Sequence, residues 1–359
     1  MAYHHLSYSP EIVDFGRMMP ALASADFRNG VLLRSTNWLG DIVMTLPATW
    51  QLRRLLPSGV PLHVLCRGSL APVWQAAPWI DGVIAMQGSH PSSSECAAVR
   101  RHNFGLGVVM PNSFGSAWDL FRCRLPVRIG RAGNLRSWLL TCRLPAWRRG
   151  EGEGRWHQLS YYLELMRPFG TPQFTAECPP LRVAPDFAAG HHITKGGGWI
   201  ALAPGAAFGP AKQWPLENYI AVARHCQNRG MRVVVVGAGR EMPLGEAIVR
   251  AVPGTLDLTG RTSLPELMSI LANVGQVVAN DSGTMHLAAA LGTPGTALFA
   301  STDPVATGPI GAPWQLIVAD VPCRPCLQRN CPLGGSEHYR CMQELPASAV
   351  LDCLKEPFS

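Results

Sequence analysis

The sequence predicts an α/β fold of two Rossmann-like domains, each a doubly wound parallel sheet, facing one another across a cleft. Three observations carry this reading. Apolar runs of strand length alternate with longer segments of helical periodicity along most of the 359 residues. That length exceeds the ~150 residues of an ordinary domain, so two cores are expected. The alternation lapses once, in a stretch rich in Pro and Gly around 176–198, and then restarts.

In the first half the strand candidates are Val31–Asn37, Pro61–Arg67, Gly82–Met86, Gly105–Pro111 and Val127–Arg131, with helices over Ile42–Leu56 and Ser116–Leu125. The second half begins with Trp199–Pro204 and a helix over Leu216–Asn228. Met231–Val236 follows, and its four consecutive valines suit a strand buried on both faces. Leu256–Thr259, Gln276–Asn280 and Thr296–Phe299 extend that sheet. Ser263 and Glu266 fit a capping box that opens a helix ending near Asn273, and Ala347–Glu356 reads as a terminal helix. The expected domains are an N-terminal extension (1–28), a first Rossmann-like domain (29–178), a linker (179–198) and a second such domain (199–359) that includes a Cys-rich segment (323–341).

Hydrophobic residues make up 47% of the chain and charged residues 15%, which excludes a disordered chain, a coiled coil or a charge-rich tail. Net charge is +7 and unevenly placed. Residues 1–180 hold 18 basic side chains, all arginine, and 11 acidic ones, whereas residues 181–359 hold 13 of each. The first half is therefore built to meet something anionic. The opening 28 residues carry Glu11, Asp14 and Asp26 and no apolar run of signal-peptide length, and nothing approaches the ~18 apolar residues of a membrane span. Eleven cysteines then read as reduced thiols in a cytoplasmic protein.

Six segments bear chemistry. Asn37-Trp38-Leu39-Gly40-Asp41-Ile42 joins the first strand to the first long helix. A carboxylate at that place faces the cleft and suits general-base work. Asp is equally a preferred N-cap residue, and a helix dipole would lower its pKa and weaken the base. The loop 204–215 follows the first strand of the second half, and its small residues admit a ligand close to the backbone. Its Lys212, one of three lysines against 28 arginines, offers a compact cation for phosphate, or else a solvated loop charge.

Asn280-Asp281-Ser282-Gly283-Thr284-Met285-His286 passes from a strand through a small-residue turn into a helix, an arrangement that binds anions through backbone N–H groups. There Asp281 serves alternatively as a helix cap and His286 as a packed helix residue. Glu241, just after Gly237-Ala238-Gly239, stands where an acid can accept hydrogen bonds from ribose hydroxyls or simply begin a helix. Cys323, Cys326, Cys331 and Cys341 could hold a metal or remain free thiols, since their spacing matches no standard paired arrangement. Leu120–Gly150 carries Arg122, Arg124, Arg128, Arg131, Arg136, Arg143, Arg148 and Arg149 without an acid, interleaved with Trp138 and Trp147. Such a tract suits nucleic acid, anionic lipid or a phosphorylated sugar.

Trp38-Leu39-Gly40-Asp41, Pro111-Asn112-Ser113-Phe114, the run Pro204 to Pro215 and the segment Asn280 to Leu291 together resemble glycosyltransferase family 9, the heptosyltransferases of the bacterial lipopolysaccharide inner core. The resemblance spans roughly residues 30–355. It implies the two-Rossmann-domain glycosyltransferase B type, with the acceptor on the first domain and the nucleotide-sugar on the second. The implied reaction is inverting transfer from ADP-heptose to the heptosyl-Kdo-lipid A acceptor. Asp41 would deprotonate the acceptor hydroxyl, while Lys212 and the N–H groups of Gly283, Thr284 and Met285 would stabilise the leaving ADP.

On the same resemblance Glu241 would hold the ribose, with Asp281, Ser282 and His286 completing the donor site. Asn112, Ser113, Arg128, Arg131 and Arg136 would face the acceptor. No metal or other cofactor is required in this scheme. The enzyme would lie in the cytoplasm against the anionic inner face of the inner membrane, with no nucleic-acid partner. Ala207 stands where the family form Pro-Gly-Ala-Glu-Phe carries Glu, which removes one polar contact to the donor. A family 9 enzyme with another acceptor or nucleotide-sugar is the nearest alternative. A zinc-containing nucleic-acid-binding protein is the remote one.

Overall fold

The computed structural model describes residues 3–7, 13–14, 22, 24–146, 157–170 and 173–354. Trp147, Arg148 and Arg149 of the arginine tract lie outside them, as do much of the expected N-terminal extension and the end of the expected terminal helix. The chain divides into two compact units, one of residues Pro10–Arg182 and one of Met1–Ser9 with Val183–Ser359.

Strand β1 (Tyr3–Ser7) belongs to the second unit, and β2 (Val13–Asp14) pairs antiparallel with β9 (Gln173–Phe174). The first unit is built on β3 (Val31–Arg34), β4 (Leu62–Arg67), β5 (Gly82–Met86), β6 (Leu106–Val109), β7 (Val127–Arg131) and β8 (Cys142–Leu144). All six run parallel in the order β5-β4-β3-β6-β7-β8. That is the order of dinucleotide-binding sheets, whose connections diverge between the first and fourth strands and leave a crevice at their carboxyl ends. Here the divergence falls between β3 and β6.

Val31, Leu32 and Leu33 have no exposed surface, as expected of a parallel strand covered on both faces. The covering helices are α1 (Leu39–Leu55), α2 (Ala71–Gln75), α3 (Ser93–His102), α4 (Phe114–Arg122) and α5 (Gln158–Glu164). α3 shows why such a helix has definite ends. Ser92 and Glu95 form a capping box at its start, and Asn103, at φ +52°, turns the chain left-handed at its end.

The second unit repeats the plan. In chain order it holds α6 (Asp186–Gly190), β10 (Trp199–Ala203), α7 (Leu216–Asn228), β11 (Arg232–Val235), α8 (Met242–Ala251), β12 (Leu256–Asp257), α9 (Leu264–Asn273), β13 (Gln276–Asn280) and α10 (Gly283–Ala290). It continues with β14 (Gly295–Phe299), α11 (Pro304–Thr307), β15 (Trp314–Ala319), α12 (Arg340–Gln343) and α13 (Ala347–Leu351). β10 to β15 are parallel, with the connections diverging between β10 and β13, and β1 adds an antiparallel edge beside β15. The capping box of Ser263 and Glu266 opens α9. Within the stretch read as a linker, α6 docks on α9, where the Ala188 N–H donates to Ser269 Oγ at 3.2 Å.

Candidate active site

In the second unit the loop after β10 and the turn after β13 meet at the divergence point. Asn280, fully buried at the end of β13, joins them. Its amide donates to the carbonyls of Pro204 and Gly205 at 2.8 and 3.1 Å, and its Oδ1 accepts from Trp214 N–H and from the Tyr219 hydroxyl. Burial holds the Tyr219 hydroxyl far above its ordinary pKa, so it stays a neutral donor.

Lys212 is brought inside by this loop. Its Nζ lies 2.5 Å from Asp281 Oδ2 and 4.8 Å from the centre of the Phe208 ring, with about a tenth of the residue exposed. The same Asp281 oxygen accepts from Thr302 Oγ1 at 2.5 Å. Asp281 is thus a buried counter-ion. Ser282 occupies the N-cap position of α10 and makes no side-chain cap bond. Gly283, Thr284 and Met285 form the first turn, whose backbone N–H groups have no partners within the helix. His286 is buried in the second turn.

Glu241 reaches the same corner. Its Oε2 accepts from the Ala238 N–H at 2.7 Å and closes a capping box over the short turn Gly239–Glu241. A Cβ on Gly205 would lie 2.0 Å from its carboxyl carbon, so the glycine leaves the space that the Glu241 carboxylate fills. The Cys-rich segment braces the loop from behind. Arg329 offers its carbonyl to the Ala211 N–H at 3.1 Å and its guanidinium to the Phe208 ring at 5.3 Å. Arg324 donates to the carbonyls of Ala300, Ala319 and Thr302. Burial, reinforced by the neighbouring Cys323, Cys326 and Cys331, pushes the Cys341 thiol up to about 11. Among the described residues, no three His, Cys, Asp or Glu groups are placed to hold a metal ion.

In the first unit Asp41 lies three residues inside α1, whose N-cap position belongs to Trp38. The alternative of a capping aspartate is therefore not what this helix uses. Half-buried, Asp41 Oδ1 accepts from Gln158 Nε2 at 3.3 Å, and the same amide reaches the Tyr162 hydroxyl at 3.1 Å. Burial first, and then the Asp41 carboxylate, hold the Tyr162 phenol well above its usual pKa.

Beside it stands a network that sequence reasoning missed. Buried Arg34, the last residue of β3, donates through Nε to buried Asp119 at 2.8 Å, and both Asp119 oxygens lie 3.0 Å from Nδ1 of half-exposed His90. Arg34 also donates to Asn37 Oδ1 and to the Ser89 carbonyl, tying together the loops after β3 and β5. The signal was an arginine at the end of a buried strand, a place where an unpaired charge is costly.

Asn112 is exposed after β6, and Ser113 caps α4 by accepting the Ser116 N–H at 3.2 Å. Of the three arginines expected to face an acceptor, two form no surface. Arg131 and Arg136 are 1% and 0% exposed. Arg136 donates to the carbonyls of Pro111, Ser113 and Arg131, and Arg131 pairs with Glu164 while its guanidinium lies 4.4 Å from the Tyr161 ring centre. Arg128 is partly buried, and its guanidinium bonds the carbonyls of Leu125 and Leu139. The absence of an acid within the tract suggested a surface for an anionic ligand, but Glu164, beyond its end, pairs with Arg131.

These two units define a glycosyltransferase of the two-Rossmann-domain type, with an ammonium and a helix N-terminus gathered at the divergence point of one sheet and a carboxylate at that of the other. The pattern of glycosyltransferase family 9 (heptosyltransferase) matches residues 96–336, and the chain belongs to that family. It is 29% identical over 301 residues to lipooligosaccharide heptosyltransferase 2 of Haemophilus influenzae, covering 78% of this chain and 86% of the relative. It is likewise 29% identical over 311 residues to lipopolysaccharide heptosyltransferase 2 of Salmonella typhimurium, covering 80% and 87%. Among solved structures, E. coli ADP-heptose lps heptosyltransferase II superposes with a TM-score of 0.75 at 24% identity, over 90% of this chain and 96% of that one. Family membership decides against the nucleic-acid-binding reading.

Proposed function

We propose that this transferase moves L-glycero-D-manno-heptose from ADP-heptose onto the heptosyl-Kdo-lipid A inner core of lipopolysaccharide. The observation that carries the reading is the buried Lys212–Asp281 pair beside the first turn of α10, in a chain whose relatives are lipopolysaccharide and lipooligosaccharide heptosyltransferases.

The chemistry follows from charge. An acceptor hydroxyl oxygen bonds to the anomeric carbon of the donor as the bond from that carbon to the phosphate oxygen breaks, and the anomeric configuration inverts. Asp41 takes the hydroxyl proton. The electron pair leaves with ADP, whose growing negative charge meets the Lys212 ammonium and the N–H groups of Gly283, Thr284 and Met285. An ammonium has three donors, so Lys212 can keep Asp281 and still reach a diphosphate. Glu241 Oε2 is held by Ala238, and Oε1, 3.7 Å from Arg240 Nε, has a lone pair to offer a ribose hydroxyl.

Asn112 and Ser113 lie after β6, on the acceptor side of this scheme. The product stays bound to lipid, so the enzyme works against the anionic cytoplasmic face of the inner membrane. No helix among the described residues is long and apolar enough to cross that membrane. Incubation with ADP-heptose and heptosyl-Kdo-lipid A tests the proposal. The acceptor should gain the mass of one heptose residue, and an unchanged acceptor mass would overturn it.

A further inference from the structure

Helix α4 carries apolar side chains on both its inner and outer faces. Ala117 and Leu120 face the core, while Phe114, Trp118 and Phe121, spaced four and three residues apart, form a stripe on the outside. These three are 41%, 37% and 39% exposed, and Trp138, 61% exposed, packs over them from the segment between β7 and β8. Neighbouring ring centroids lie 5.3 to 6.4 Å apart, so the four rings form one continuous surface. A solvated helix face ordinarily carries polar side chains, and a contiguous exposed aromatic patch marks an interaction site.

Phe121 also lines an adjoining open cavity of about 570 Å³ that contains Arg100, Arg122, Arg124 and Arg128 and no carboxylate. The Arg128 guanidinium sits 5.5 Å from the Phe121 ring centre, joining the basic and aromatic parts. Phenyl and indole rings with arginines at their rim match the chemistry of a bilayer interface, where amphipathic rings sit at headgroup depth and cations meet lipid phosphates. A second copy of this chain fits poorly, because pairing the patch with itself would bring two sets of four arginines together.

We propose that this face docks the enzyme on an anionic phospholipid bilayer. The rings of Phe114, Trp118, Phe121 and Trp138 enter the headgroup layer, and a lipid phosphate occupies the arginine-lined cavity. The proposal deepens the membrane contact described above and rests on it. It also replaces Arg131 and Arg136, which are buried, as the contact residues.

The test is flotation of the full chain with vesicles of neutral phosphatidylcholine, alone or with about a third phosphatidylglycerol. Binding should favour the anionic vesicles and weaken with salt. Trp118→Ser with Trp138→Ser should lower the vesicle partition roughly tenfold or more, through lost apolar contact. Arg122→Gln with Arg124→Gln should abolish the preference for anionic over neutral vesicles. Both double variants should retain wild-type transfer to a deacylated, water-soluble heptosyl acceptor, which shows that they are folded. Unchanged partition of the tryptophan variant would overturn the proposal. So would a wild-type dimer that this variant converts to monomer without loss of vesicle binding. If the wild type transfers to no heptosyl acceptor yet the vesicle results hold, the transfer reading fails and the docking surface stands.

Discussion

The two carboxylates at the divergence points are held in opposite ways. Asp281 is buried against an ammonium and a hydroxyl, whereas Asp41 is half-exposed on the first turn of α1 and touched by an amide. The difference matches the tasks proposed for them. Asp281 fixes the Lys212 ammonium, and a cation that meets a leaving diphosphate does best held in place, since a rigid charge needs no reorganisation when the bond breaks. A group that exchanges a proton must meet an incoming sugar and release the proton afterwards, which needs access to solvent. One site is built as a clamp, the other as a door.

The sharpest test of this contrast is Asp41→Asn, which keeps the shape and removes the base. Turnover should fall about 100- to 10,000-fold while ADP affinity, measured by calorimetry, stays near wild type. Near-normal turnover would make Asp41 a structural helix residue. Lys212→Ala should act on both binding and rate, weakening ADP and slowing transfer by roughly 100- to 1,000-fold. Lys212→Arg should recover only part of this, because a planar fork does not replace a compact ammonium in a buried pair.

Arg136→Met should affect the fold rather than the chemistry. It would strip the guanidinium donors from the carbonyls of Pro111, Ser113 and Arg131; Ser116 Oγ still reaches the first two, so the expected cost is about 1–3 kcal/mol in all. Thermal denaturation should show a lower melting temperature, with ADP affinity intact. The mildest change is Glu241→Gln. Its amide oxygen can still accept from Ala238, so the KM for the donor should rise less than about tenfold with kcat unchanged.

Much of the frame was legible because local signals agreed with the tertiary structure. Gly82–Met86, Val127–Arg131, Leu216–Asn228 and Gln276–Asn280 fall where periodicity places them. The capping box at Ser263 fixes the start of α9. β8 escaped because three residues, Cys-Arg-Leu, carry no period. β1 escaped because its strand character comes from a partner over three hundred residues away.

The positions of Asp41, Lys212 and Asp281 could be read from strand-to-helix junctions, but their partners could not. Thr302, Gln158 and Arg329 reach the site from distant segments, and no spacing rule links them to it. The arginine tract misled for a related reason. Charge along a sequence does not reveal that a guanidinium will turn inward and spend its donors on carbonyls, as Arg136 does. The outer face of α4 was visible as Phe-x3-Trp-x2-Phe, yet periodicity alone does not tell a core stripe from an exposed one.

The pairing of β1 with β15 carries a consequence for how the polypeptide is made. Tyr3–Ser7 lies at the edge of a sheet whose adjoining strand, Trp314–Ala319, is synthesised roughly three hundred residues later. At ordinary translation rates of ~5–20 residues per second, Tyr3–Ser7 waits roughly 15–60 s for that partner. During this interval the whole first unit can fold between them. The backbone crosses from one unit to the other near residue 9 and again near residue 182. A protease cutting either crossing alone would leave the halves tethered by the other. Deleting the first nine residues would reduce two tethers to one and leave the outer edge of β15 unpaired, a template for association with other chains.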